Sequence, residues 1–274
     1  MNLMPRHPLV LVGGALVLIQ CALAIFAPLI APYDPIGQNI INRMEAPSLA
    51  FLLGADQFGR DNFSRILYGY RASLAVSLVS VMIALVVGGS LGVISAFYRG
   101  WTDRIVMRCM DVLFAFPLIL LAIAIISLLG PKQWTTAIAI GIVYTPIFAR
   151  LLRGPALVLA ESEFVVSARA IGAGDLRILV RHILPNLASV ILVQASLSLS
   201  TAILVEASLS FLGIGTQPPT PSLGLMLAES RSYALISPWT SIFAGVAILT
   251  SSLGFNLLGD GLRDTLDPRL KGTE

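Results

Sequence analysis

Apolar residues in this chain run on rather than alternate. Six stretches, 9–31, 72–98, 106–129, 134–152, 187–213 and 238–258, consist almost wholly of aliphatic, aromatic and small residues, and two of them carry charges near an end. A membrane-spanning helix needs about 20 such residues, because the hydrocarbon core is about 30 Å thick and each helical residue rises about 1.5 Å. Continuous runs favour helices over a barrel, whose strands would alternate. The pattern predicts an all-α polytopic membrane protein with about six transmembrane helices. Positions 1–71 hold the first span and a long external segment, and 72–274 hold five spans in one core. The first run also has features of a secretory signal, since Arg6 and His7 precede it and Ala22-Leu23-Ala24 imitates a cleavage site. Its apolar character continues through Ile30, beyond that point, which favours a span.

The pattern changes between the first two spans. Pro32-Tyr33-Asp34-Pro35 enforces an extended exit from the membrane. From Asp61 onward, Phe63, Ile66, Leu67 and Tyr70 recur at helical spacing. That spacing predicts a helix lying at the outer interface and bending into the second span. The segment reads either as a cap on the bundle or as a docking surface. Within the spans, Gly88 and Gly92 are four apart and let another helix approach closely. Phe116-Pro117 and Pro146 are expected to kink the third and fourth spans, since proline deletes a backbone hydrogen bond and crowds the preceding turn.

Composition agrees: 56% of the 274 residues are hydrophobic and 12% charged, about half the charged fraction of a soluble domain. Counting spans from a cytoplasmic N-terminus puts Arg43, Arg60, Arg65, Arg71, Lys132 and Arg231 outside, and the other twelve of the 18 lysines and arginines inside. This bias predicts both termini in the cytoplasm. The net charge of +3 then reflects topology, and no basic stripe interleaved with aromatics suggests nucleic acid. Cys21 and Cys109 fall near opposite faces, which disfavours a disulfide, and two cysteines alone make no metal site.

Catalysis finds little support. His7 and His182 are the only histidines, no nucleophile elbow occurs, and Gly172-Ala173-Gly174 lacks the strand and the following Lys of a phosphate loop. An ion-driven transporter would place titratable groups within its spans. Asp111 lies three residues after Arg108 and can pair with it on one helical face. Glu206, in the fifth span, has no sequence-local partner; it either lines a translocation path or makes a cross-helix hydrogen bond.

One polar interlude remains, ESEFVVSARAIGAGDLRILVRHILPN at 161–186, on the cytoplasmic side by the charge count. Residues 163–171 predict a short helix, with Phe164, Ala168 and Ile171 on one side and Glu163, Ser167 and Arg169 polar. Gly172-Ala173-Gly174 stops it, since glycine tolerates the left-handed backbone of a helix end. Asp175 is placed to cap a second helix, and Pro185 to end it. Two short helices on the ends of two spans suit a groove on a soluble partner, or form a solvated basic loop.

Val166-Ser167-Ala168, Gly172 and Leu184-Pro185 resemble the Glu-Ala-Ala signature of ABC importer permeases, departing from it at Val166, Ser167 and His182. LGADQFGRDNFSR at 53–65, EASLSFLGIGTQPPTP at 206–221 and NLLGDGLRDTLDPR at 256–269 are similar to segments of the dipeptide, oligopeptide and nickel importer family, on the side of its permease C subunits. The resemblance covers nearly the whole chain and implies a type I ABC importer permease fold in a bacterial inner membrane. It implies a homologous second permease, two cytoplasmic ATPase subunits or domains that bind ATP and Mg²⁺, and a solute-binding protein outside. The implied cargo is short peptides, with glutathione-like peptides and nickel complexes behind them. In such a machine Glu163, Ala168, Arg169, Gly172, Asp175, Arg177, Arg181 and Pro185 would form the ATPase-coupling loop.

Overall fold

A computed structural model describes residues 7–266. Apart from one bridge between Ala55 and Asp61, its regular structure is helical. Helix α1 (Pro8–Ile25) continues after a break at Phe26 as α2 (Ala27–Ile30). Helices α3 (Asn62–Ile83) and α4 (Ser90–Tyr98) form one run of 37 residues through a π-helical stretch at Ala84–Gly89. Next come α5 (Gly100–Phe114), α6 (Leu118–Leu129) and α7 (Gln133–Ala160). Helices α8 (Glu163–Ala170) and α9 (Asp175–Ile178) lead into α10 (Ala188–Phe211), followed by α11 (Leu223–Ser230) and α12 (Trp239–Leu266). Five helical runs are long and apolar enough to cross a membrane, or six if the bent pair α5 and α6 counts as one.

Several expectations are corrected. No bend separates residues 62–71 from the second span: the helix starts at Asn62, capped by the Asp61 carboxylate accepting the Ser64 N–H at 2.8 Å. Its first turns are buried in protein, with Ile66, Leu67 and Tyr70 in the core, and so do not lie on an interface. The third span is broken outright, because α5 and α6 meet at 91° across Ala115–Pro117. Proline forces its predecessor out of the helical region, and Pro117 serves as the cap of α6. With 12 residues, α6 is about 18 Å long and too short to cross alone. In the fourth span, by contrast, α7 continues without a break through both Pro146 and Pro155.

The expected close approach of helices is present. A Cβ on Gly88 would run into the Thr145 carbonyl, and one on Gly92 into the Ala149 carbonyl. Both pairs are spaced by four, so α3–α4 and α7 run parallel with one helix's backbone seated on the other's. Gly141 returns the contact against Ile83 and Ser80, and the Ser80 hydroxyl donates to the Ala137 carbonyl at 3.0 Å. A buried cluster of Val76, Val81, Ala84, Ile140, Tyr144 and Phe148 surrounds this seam.

Segment 31–61 is a folded cap. Tyr33 stacks on Phe51 with ring centroids 5.2 Å apart, and the Tyr33 N–H donates to the Ser64 hydroxyl at 3.2 Å. Gly59 turns the chain at φ +70°, where a side chain would also strike the Asn39 carbonyl. That turn brings Asp56, Arg60 and Arg65 together.

Candidate functional site

Two polar constructions occupy opposite ends of the bundle. The first is the 161–186 loop. Helix α8 forms where expected, and Gly172 adopts φ +83°, the left-handed helix stop. Ala168, Val165, Ile178 and Ile183 are buried against Val93, Phe97, Leu152 and Ala156 of α4 and α7. The loop's inner face is therefore built into the bundle. Arg169 lies over the Phe97 ring, 4.7 Å from its centroid, and the Asp175 carboxylate faces the Tyr98 hydroxyl.

Two details of this loop differ from expectation. Gly174, not Asp175, is the N-cap of α9; Asp175 is the first helical residue, its carboxylate turned toward Tyr98 instead of the next turn's N–H groups. Pro185 does not end the second helix. The run from Asp175 to Phe211 is continuous, passing from π-helical at Leu179–Ile183 to 3₁₀ at Leu184–Leu187, and this change of winding accommodates the missing N–H. Motion of α9 is thus motion of α10.

The outer face of the loop is apolar at its crest. Ile171 is 87% exposed, Leu176 75% and Val166 57%, with Glu163, Arg177 and Arg181 exposed around them. Exposed apolar side chains among charges, on a loop whose inner face is buried in the bundle, suit contact with another molecule.

Ion pairs tie this end together. Arg153 makes a bidentate pair with Asp103, both contacts 2.6 Å, and Arg99 pairs with Glu161 at 2.7 Å. Asp111 pairs with Arg150 of α7 at 2.7 Å and not with Arg108, correcting the local pairing. Asp103 and Asp111 are about 12 Å apart along α5, yet Arg153 and Arg150 are about 4.5 Å apart along α7. Helix α5 therefore slants across α7, which is why position 111 meets the neighbouring helix rather than its own turn.

The opposite end carries a closed ring of alternating charge that spacing did not reveal. Asp56 Oδ2 accepts from Arg60 Nε at 2.6 Å and from Arg65 Nη1, while Glu229 Oε2 accepts from Arg60 Nη2 at 2.8 Å and Arg65 Nη2 at 2.7 Å. Asp56 Oδ1 takes the backbone N–H groups of Phe58 and Arg60 at 2.8 and 3.0 Å. Arg65 is 1% exposed and Asp56 is fully enclosed. Two guanidinium groups and two carboxylates balance, so the ring is neutral where water is excluded. Tyr233 lies beside it, and burial pushes its phenol above the usual range, keeping it a neutral hydroxyl. Arg60 and Glu229 are 169 residues apart, beyond any local pattern; the one hint is a lone acid in the apolar run after Ser222.

Glu206 is also at this end and is fully enclosed. Ser210, one turn on, donates to its Oε1 at 2.8 Å, and Ser73, Thr216 and Ser222 crowd the same carboxylate. These come from α3, α10 and the segment before α11. A Cβ on Gly224 would strike the Ala207 carbonyl, so α11 presses directly on α10. The hydrogen bond it makes runs to Ser210 on its own helix, and its Oε2 is buried with no hydrogen-bond partner, so neither the path-lining reading nor the cross-helix hydrogen bond is singled out. The described residues contain no cluster of three or more potential metal-ligating His, Cys, Asp or Glu side chains.

Known proteins resemble this chain in sequence and fold. Residues 88–272 match the family described as binding-protein-dependent transport system inner membrane component, and residues 5–47 match the N-terminal TM domain of oligopeptide transport permease C. The chain is 48% identical over 267 residues to the glutathione transport system permease protein GsiD of Pectobacterium atrosepticum, covering 97% of this chain and 89% of that one. It is 46% identical over 266 residues to the dipeptide transport system permease protein DppC of Alkalihalophilus pseudofirmus, covering 97% and 88%. A solved inward-facing structure of the MetNI methionine ABC transporter matches in fold with a TM-score of 0.61 at 18% identity, over 74% of this chain and 97% of that one. With its helical bundle, its built-in loop and these relatives, the chain belongs to the family of binding-protein-dependent transport system inner membrane components and has the ABC importer permease fold.

Proposed function

We propose that this chain forms half of the translocation path of an ATP-driven importer of short peptides, paired with a homologous permease. Two partner ATPase subunits or domains bind ATP and Mg²⁺, and a solute-binding protein delivers cargo to the opposite face. The observation that carries the ATPase contact is the two-sided 161–186 loop. Val165, Ala168, Ile178 and Ile183 fix it in the bundle, while Ile171 and Leu176 stand exposed among Glu163, Arg177 and Arg181. A partner that grips the crest moves α7 and α10 together, since α8 follows α7 and α9 is continuous with α10. Arg169, Gly172, Asp175 and Pro185 hold the loop's shape. The loop face is cytoplasmic in this reading, as are both termini.

Di- and tripeptide cargo is supported by relatives named for dipeptide and glutathione transport, glutathione being itself a small peptide. The test is uptake by proteoliposomes holding the complete importer with its binding protein, using labelled dialanine and glutathione. Uptake of either that requires hydrolysable ATP is expected. Uptake that persists without the ATPases and follows an ion gradient would overturn the proposal. Ile171→Asp with Leu176→Asp should release the ATPases on affinity purification while leaving the chain in the membrane.

A further inference from the structure

We propose that the ring of Asp56, Arg60, Arg65 and Glu229 fastens α11 to the body that carries the coupling loop, so that the opposite face opens and closes as the tip of that body. The inference rests on the importer reading. Three observations support it. First, α3–α4 and α7 are joined backbone to backbone at Gly88 and Gly92, with Gly141 seated against Ile83 and the Ser80 carbonyl, leaving little side-chain layer to slide. Such a seam transmits displacement as a unit. Second, the loop is continuous with that seam, through α8 at the end of α7 and through the buried contacts of Val165, Ala168 and Ile178 on α4 and α7.

Third, α11 is held at both ends. At its start, Ser222 caps the helix by accepting the Leu225 N–H, and the Thr216 N–H just before it donates to the Ser210 hydroxyl of α10, which in turn donates to Glu206. At its end, Glu229 closes the ring on Arg65 of α3 and Arg60 of the cap. Between these, Leu223 packs against Gly69, and Gly224 against Ala207. Leu223 and Met226 also bury α11 against α10 and α12, and the ring adds the polar tie that joins its far end to α3 and the cap. Each guanidinium uses two of its N–H groups to bridge Asp56 and Glu229, which gives the ring direction as well as strength, as single point charges would not. Arg60, Arg65 and Glu229 are thus positioning residues: they act on the path through α11.

The test uses the complete reconstituted importer with Cys21→Ser and Cys109→Ser, spin-labelled at Arg71→Cys on α3 and Ser232→Cys just past α11, both exposed. The inter-label distance distribution is expected to be the same in the nucleotide-free and ATP-trapped states. Glu229→Gln should broaden it and lower ATP-dependent dialanine or glutathione uptake about tenfold, with ATP hydrolysis retained. Arg65→Lys, which keeps charge but loses the fork, should fall between. A distance that changes with nucleotide in the unmutated ring overturns the proposal, as does a Glu229→Gln importer with wild-type distance and uptake. Should Glu229→Gln fail to assemble, the distance comparison on the intact ring still decides. Failure of the importer reading would show separately, as absence of ATP-dependent uptake by the wild type.

Discussion

Replacing Gly88 by alanine should destabilise the bundle, although alanine is the better helix former. The added Cβ would sit inside contact distance of the carbonyl oxygen, carbonyl carbon and Cα of Thr145. All three are backbone atoms of α7, so no rotamer relieves the clash and the two helices must separate. Overpacking of this kind costs about 1–3 kcal/mol, and separation also loosens the neighbouring contact at Gly92. The gain in helix propensity returns about 1 kcal/mol at most. Gly245 and Gly154 provide the control, since both are helical and a Cβ on either meets nothing within 4 Å. There the propensity gain stands alone. Thermal unfolding of the purified chain in one detergent should show Gly88→Ala lower by about 2–6 °C, and Gly245→Ala unchanged or higher. Equal shifts for the two substitutions would refute the claim that Gly88 marks a backbone seam.

Other outcomes follow from the same geometry. Asp56→Asn should cost about 3 kcal/mol, because it leaves two buried guanidinium groups sharing one carboxylate, whereas Arg99→Ala, which breaks the exposed pair with Glu161, should change thermal stability by less than about 1 kcal/mol. Gly172→Ala forces a side chain into the left-handed region at about 1–2 kcal/mol; membrane insertion should persist on fractionation while the ATPases co-purify less well. Exchanging Asp103→Arg with Arg153→Asp should recover more stability than either change alone, as a thermal double-mutant cycle would show, because the bidentate contact is the interaction being exchanged.

Long apolar runs made the spans legible, since membrane thickness permits few other readings. The helix stop at Gly172 and the paired Gly88 and Gly92 were legible for a similar reason: each is a demand that one residue type meets locally. Sequence did not show the size of the break at Pro117, because a proline removes a hydrogen bond without saying whether neighbours restore it. In α7 the helix runs through Pro146; between α5 and α6 it does not. Asp111 was assigned to Arg108 because local spacing allowed it, yet the slant of α5 delivers it to Arg150. The charge ring was hidden altogether, its Glu229 lying 164 residues from Arg65.

The exposed crest of Ile171, Leu176 and Val166 bears on biogenesis as well as transport. On the proposed importer reading, a copy inserted in the membrane without its ATPases would present greasy surface to the cytosol, in the place where chaperones and proteases survey new chains. Solitary copies should therefore be short-lived, and their lifetime should lengthen when the ATPases are made alongside them. The feature that couples the motor would then also keep the stoichiometry of the complex, by exposing any permease left without one.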